Sequence, residues 1–253
     1  MVSKKRLFIL IGGLVLSAVV LLVSFLLTNM GRSNLGGALD FQCGDKITYQ
    51  EDVYKTVQIG EQCWMKENLK TTKYRDGTPI SVSDSMTDSE WIVDKKGAYV
   101  CYQNIKENCN TYGALYNWYA VSNSLGLCPA GWSVPTHNKW TDLERSMCNS
   151  LKHENCETIF AYDNSMGFRG TDEGINLKSK TVKGSDAYGF SAFFGGFRNP
   201  NGPFQYLGEK GFWWTSDFSG EFAYGRVLDA LNQGVRQVES VKSSGFSVRC
   251  VKD

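Results

Sequence analysis

An uncharged apolar run from Leu7 to Leu27, entered directly from Lys4, Lys5 and Arg6, constrains this chain more than any other feature. A helix crosses the hydrocarbon core of a bilayer with about 20 apolar residues, whereas the apolar core of a signal peptide is usually only about 7–15 residues long. Residues 7–27 are therefore read as a single membrane span. Three cations precede it and only Arg32 follows closely, so the positive-inside bias keeps residues 1–6 cytoplasmic and exports what lies beyond. A long cleaved signal peptide is the alternative. Against it, Thr28-Asn29-Met30-Gly31-Arg32 lacks a small-x-small cleavage pattern, and Asp40-Phe41-Gln42 before Cys43 is too polar and bulky for a lipoprotein site. Gly12 and Gly13 are adjacent and not spaced as G-x-x-x-G, so close helix pairing in the bilayer is permitted without being signalled. Residues 28–40 read as a flexible glycine-containing stalk and residues 41–253 as one extracytoplasmic domain.

Cysteine usage agrees with export. All eight cysteines lie beyond the apolar run, and the chain has no C-x-x-C and only two histidines, His137 and His153, which fit no zinc spacing. Structural disulfides follow from that pattern. Cys101 and Cys109 bracket the polar loop 102–108, and Cys148 and Cys156 bracket the similar loop 149–155, so each pair reads as a local staple. Connectivity among the others cannot be deduced from sequence alone. Lys plus Arg number 27 against 26 for Asp plus Glu, a near-neutral balance that gives no electrostatic footprint for nucleic acid.

The coarse pattern is α+β, with many short strand-like segments punctuated by Gly, Asn and Asp. Val53-Tyr-Lys-Thr-Val-Gln-Ile59 alternates as a half-buried strand, and Gly60-Glu61 turns it into Cys63-Trp64-Met65, an opening hairpin. Gly113 to Val121 places Leu115, Tyr116, Tyr119 and Ala120 near one helical face and reads as a first helix. A second helix, capped by Thr136 or Asn138, runs through Cys148, with Trp140, Leu143, Glu144 and Met147 recurring at helical intervals and Glu144 facing outward or meeting a neighbour. From Gly167 onward Gly-Phe units recur at unequal spacings, which aromatic packing on glycine explains without a repeat. Ala223–Asp229, Val235–Val241 and Phe246–Val251 read as the last antiparallel strands.

Four ordered motifs carry a family resemblance. They are Ile59-Gly60-x-x-Cys63-Trp64-Met65-x-x-Asn68-Leu69, Gly113-Ala-Leu-Tyr-Asn-Trp118, Leu127-Cys-Pro-Ala-Gly-Trp-Ser-Val-Pro-Thr136, and Gly245-Phe-Ser-Val-Arg-Cys-Val-Lys-Asp253. Over roughly Val53 to Asp253 the chain resembles the Fibrobacter succinogenes major paralogous domain, a family similar in turn to C-type lectin-like and formylglycine-generating-enzyme-like folds. The resemblance implies a lectin-like mixed fold of short antiparallel strands, two helices and long loops. It also implies a disulfide from Cys128 to Cys250, joining the Cys-Pro-x-Gly-Trp segment to the final strand. Pairing of Cys43 with Cys63 is a local inference and not a family one.

Lectin-like folds host unrelated activities, so the chemistry has to come from residues. A formylglycine-type enzyme needs a reactive thiol pair near the C-terminal end, where Cys250 stands alone, and neither G-x-S-x-G nor H-E-x-x-H occurs. The acid pairs Asp172-Glu173 and Asp84 with Asp88 read as solvated loop charges. Binding has more material. Trp213-Trp214-Thr215-Ser216-Asp217 resembles the Trp-x-Asp neighbourhood that helps hold calcium and sugar in some C-type lectins, with Asn199 and Asn201 of Arg198-Asn-Pro-Asn-Gly202 as further oxygen donors. No cofactor or metal is expected, with calcium through Asp217, Asn199 and Asn201 as the alternative. The blander reading sends Trp213 and Trp214 one to each strand face and makes Asn-Pro-Asn-Gly a turn. A surface Trp beside Tyr206 and Tyr224 could instead stack on a sugar. The expectation is a cell-surface binding or adhesion module and not an enzyme, with a surface polysaccharide or protein as ligand. A structural subunit of a pilus-like assembly, packed through the N-terminal helix, is the alternative.

Overall fold

A computed structural model describes residues 41–82 and 88–253. The expected span at 7–27 and stalk at 28–40 lie outside the described residues, and no helix among those described is long and apolar enough to cross a membrane. Cys43–Asp253 is a compact unit. Its architecture is α+β and rich in sheet.

The opening hairpin forms as its alternation dictates. Strand β1 (Lys46–Tyr49) pairs with β2 (Asp52–Ile59), which turns through Gly60 into β3 (Gln62–Met65). The last strand, β14 (Val251–Lys252), inserts between β3 and β7 (Trp132–Ser133), so the two ends of the domain close one five-stranded sheet. A three-stranded sheet holds β4 (Ser81–Val82), β5 (Ala98–Val100) and β6 (Leu115–Tyr116). The largest sheet has six strands. Its members are β8 (Gly167–Arg169), β9 (Gly195–Arg198), β10 (Phe204–Leu207), β11 (Lys210–Ser219), β12 (Phe222–Asp229) and β13 (Val235–Val241). They lie in the order β10-β9-β11-β12-β13-β8, with β10 and β8 at the edges.

Short helices α1 (Asp88–Val93), α2 (Lys106–Tyr112) and α3 (Trp118–Val121) precede the one long helix among the described residues, α4 (His137–Ser150); α5 (Cys156–Ile159) and α6 (Glu173–Leu177) follow. Helix α4 starts where its cap predicts, because the Thr136 hydroxyl accepts from the Lys139 N–H at 3.1 Å and relieves one of the unpaired amides of the first turn. Its Trp140, Leu143 and Met147 fill the space between the two larger sheets, against Ile59, Trp64 and Val251 on one side and Trp213, Leu228 and Val235 on the other. Trp140 is 5.0 Å from Trp64 and 6.2 Å from Trp213, centroid to centroid. Burial of each such ring contributes about 1.5–3 kcal/mol, so this aromatic column is the main support of the domain.

Three local expectations are corrected. Gly113–Val121 is not one helix: Gly113 closes α2 at φ 84°, Leu115 and Tyr116 form β6, and only Trp118–Val121 is helical. A Cβ on Gly113 would lie 2.5 Å from that of Asn68, so the close approach requires glycine. Asn117 divides the segment, its Oδ1 accepting from Ala98 N–H at 2.9 Å and capping α3 through Ala120 N–H at 3.0 Å. Segment 102–108 is not a plain loop but a single 3-10 turn, Tyr102–Asn104, running into α2. Phe246–Val251 is extended without forming a full strand: Phe246 bridges Tyr116, Ser247 bridges Trp213, and only Val251–Lys252 enters a ladder.

Four disulfides join the expected pairs, Cys43–Cys63, Cys101–Cys109, Cys128–Cys250 and Cys148–Cys156, with Cα separations of 5.0–6.0 Å and no free cysteine.

Candidate functional site

Several of the residues expected to bind sugar or calcium are engaged by the fold itself. Trp213 and Trp214 are both fully buried, because β11 is an interior strand covered on both faces. Their indole N–H groups donate to Asn68 Oδ1 at 2.8 Å and to the Tyr116 carbonyl at 2.7 Å, so neither ring offers a face to a ligand. Tyr224 is buried edge-on to His137. The Asp217 carboxylate accepts the backbone N–H of His137 and so tethers β11 to the first residue of α4. Asn199 and Asn201 lie in the β9–β10 turn, where Asn199 N–H donates to the Pro203 carbonyl and the Asn199 carbonyl accepts from Gly202. No hydrogen bond among the described residues joins Asp217 to either asparagine. Tyr206 alone of the aromatic candidates is exposed, at 39%, stacked on Phe197 and with the Lys210 ammonium 4.7 Å from its ring centre.

The acid pair at 172–173 is not simply solvated. Glu173 is fully buried, accepting from Thr171 N–H, and His153 sits 3.1 Å from its carboxylate and 3.5 Å from that of Asp172. Cys148 lies close to His153 and Glu173, but its sulfur is spent in the bridge to Cys156, which leaves no thiolate for a metal. Asp84 lies outside the described residues.

Sequence reasoning missed a buried charge network. Glu144 on α4 receives Arg226 Nε at 2.5 Å on one oxygen and Arg169 on the other, and none of the three is appreciably exposed. Arg226 also reaches the Thr141 hydroxyl at 3.2 Å and His137 Nδ1 at 3.2 Å, while His137 Nε2 lies 2.8 Å from the Asp163 carbonyl. Only a neutral ring with its proton on Nε2 satisfies both contacts, accepting from the guanidinium and donating to the carbonyl. Burial, with Arg226 second, pushes the His137 pKa down accordingly. One carboxylate thus bridges two guanidiniums between α4, β8 and β12, and the contacts join these elements in the interior.

An open cleft of about 610 Å³ is where unspent polar chemistry collects. It lies between the β1–β2 turn, residues 70–73, the strands β4 and β5, and the start of α2. Its floor is fixed. Gln50 donates to the Lys73 and Tyr74 carbonyls and accepts from Thr71, and Lys70 pairs with Asp52 at 3.0 Å. Its rim is free: among the described residues no hydrogen bond or ion pair holds the side chains of Glu51, Thr72, Lys73, Asn104, Lys106 or Asn110. Half-buried Tyr99 and Val82 supply an apolar wall. The Cys101–Cys109 bridge forms one side, clamping a turn in which Gln103 and Asn104 both have positive φ, and Asn108 braces that turn through the Tyr102 carbonyl at 2.9 Å. The arrangement suits reversible capture of a polar ligand, with a rigid floor and donors and acceptors turned to solvent.

The motif residues lie elsewhere, in the core. Asn68 Oδ1 accepts from Trp213 and from both Nε and Nη2 of Arg249, and Arg249 lies 4.3 Å from the Phe190 ring centre. Burial pulls the Arg249 guanidinium down to about 9, against the raising effect of Glu67 and Asp186. Trp64, Asn117, Cys128 and Cys250 are buried around the same interior. Over 138 residues the chain is 24% identical to a highly reducing polyketide synthase from Hypocrea virens, covering 49% of this chain and 6% of the synthase. The chain thus spans only a small fraction of that relative's length. No solved structure matches it. The model of the Fibrobacter succinogenes major domain matches residues 57–252, the stretch over which these motif side chains interlock, and the chain belongs to that family.

Proposed function

We propose that this protein is a single-pass, membrane-anchored binding or adhesion module that presents a disulfide-stapled, lectin-like domain outside the cytoplasm. The observation that carries the reading is the complete pairing of its eight cysteines in four disulfides, which suits an oxidising compartment and agrees with the exported orientation of the N-terminal apolar run. The antiparallel insertion of the last strand, β14, between β3 of the opening hairpin and β7 supports a lectin-like course. The Cys128–Cys250 bridge occupies the thiol on which a formylglycine-type reaction would depend. The cleft beside Cys101–Cys109 is the ligand site in this reading, since its rim holds polar side chains that no hydrogen bond or ion pair among the described residues engages.

The test is a glycan and polysaccharide array probed with the full-length chain in mild detergent, with calcium and with a chelator. Binding that survives the chelator is expected, because Asp217 is engaged at the start of α4. Chelator-sensitive binding would restore calcium, and a blank array would turn the proposal toward protein partners or a structural subunit.

A further inference from the structure

We propose that the cleft selects a carboxylated sugar, a uronic acid unit within a polysaccharide. This rests on the binding-module reading above and specifies its ligand.

Charge on the rim decides the class. Lys70 and Asp52 neutralise each other at 3.0 Å, which leaves Lys73 and Lys106 against Glu51 alone. A neutral glycan leaves one of those cations without a counter-charge, a cationic ligand meets two lysines, and a ligand that places one carboxylate between the lysines balances the site. Charge-assisted N–H to carboxylate bonds are roughly twice as strong as neutral ones, and lysine offers three rotatable donors for a carboxylate of variable pose. The remaining groups suit ring hydroxyls, which donate and accept alike. Thr72 offers both roles, Asn104 and Asn110 offer an amide each, and Glu51 accepts from a vicinal diol. Tyr99 gives the apolar face of a pyranose a wall to lie on. An open cleft, rather than an enclosed cavity, lets a polymer pass through with a few sugars held.

Polygalacturonate and its methyl-esterified form share a backbone and differ in the carboxylate, so they isolate the point. The full-length chain in mild detergent, titrated by microscale thermophoresis, is expected to bind the acid form about tenfold more tightly than the ester. That preference should shrink several-fold between about 50 mM and about 500 mM NaCl as the exposed charges are screened. The double substitution K73E/K106E should weaken acid binding by about tenfold or more, Glu51→Gln should strengthen it, and Lys46→Glu, an exposed lysine outside the cleft, should leave it unchanged. All four substituted residues are exposed, and an unchanged thermal midpoint shows that each variant is folded.

Equal binding of acid and ester overturns the inference and leaves the binding-module reading intact. An acid preference that K73E/K106E does not diminish places the carboxylate elsewhere and also overturns it. Binding of neither polymer overturns it outright, and a blank array with the same preparation also removes the polysaccharide-binding form of the broader reading, turning it toward protein partners or a structural subunit.

Discussion

Glu144 carries one carboxylate between two buried guanidiniums, and the cost of losing it is asymmetric. Replacing an entire buried ion network by apolar groups can be nearly neutral, but removing a single partner strands the others. Glu144→Gln leaves Arg169 and Arg226 without a counter-charge in a site where all three are almost fully buried, and should cost about 3–5 kcal/mol in urea unfolding. His137 adds a pH dependence. Its folded pKa is pushed below the ordinary value of about 6.5, first by burial and then by Arg226. Below that value the unfolded chain takes up a proton at this ring that the folded chain refuses, so acidification favours unfolding. The thermal midpoint should therefore fall between pH 7.5 and pH 5, and His137→Gln, whose amide can still accept from Arg226 and donate to Asp163, should flatten that fall. The helical spacing at Glu144 was legible, but its partners stand 25 and 82 residues away, in strands whose register no local pattern announces.

Helix α4 was readable because its signals are local: a threonine at the cap and apolar residues at three- and four-residue intervals. Thr136→Ala removes the acceptor for Lys139 N–H and should cost about 1 kcal/mol, read as a shift in the urea midpoint with an unchanged slope. Segment 113–121 was misread for a reason of the same kind. Leu115 and Tyr116 are both buried, so their strand shows no alternation, and a short apolar run without a period suits helix and strand equally. What decides it is Asn117, whose amide meets Ala98 and the Lys96 carbonyl as well as its own helix start. The tryptophans of β11 follow the same rule. A strand flanked by β9 and β12 and covered on both faces does not divide its residues between core and surface, so Trp213-Trp214 carried no information about exposure.

Across the whole domain the family motifs, the disulfides and the cleft do different jobs. The motifs converge on Asn68, Trp213, Arg249 and the Cys128–Cys250 bridge, which is why the family and the long disulfide were legible from them. The cleft was not, because its rim comes from Glu51, Thr72, Lys73, Asn104, Lys106 and Asn110, polar residues outside those motifs that only the folded chain gathers. Two disulfide deletions should separate these jobs. Cys128–Cys250 closes a separation of 122 residues and Cys101–Cys109 one of 8, which correspond in the chain-entropy estimate to about 5 and about 2.5 kcal/mol. The longer bridge also holds β14 in place, where the Cys250 carbonyl accepts from Met65 N–H at 3.0 Å. Replacing both of its cysteines by serine should thus abolish the cooperative transition or lower its midpoint far more than the same change at Cys101 and Cys109. The shorter pair should show the reverse balance in a ligand titration. Without it the Gln103–Asn104 turn has no clamp against its unfavourable backbone angles, so the cleft loses its shape while the aromatic column around Trp140 stays packed. C101S/C109S should therefore retain a cooperative unfolding transition yet bind polygalacturonate more weakly than the parent, and unchanged affinity in that variant would show that the bridge does not shape the cleft.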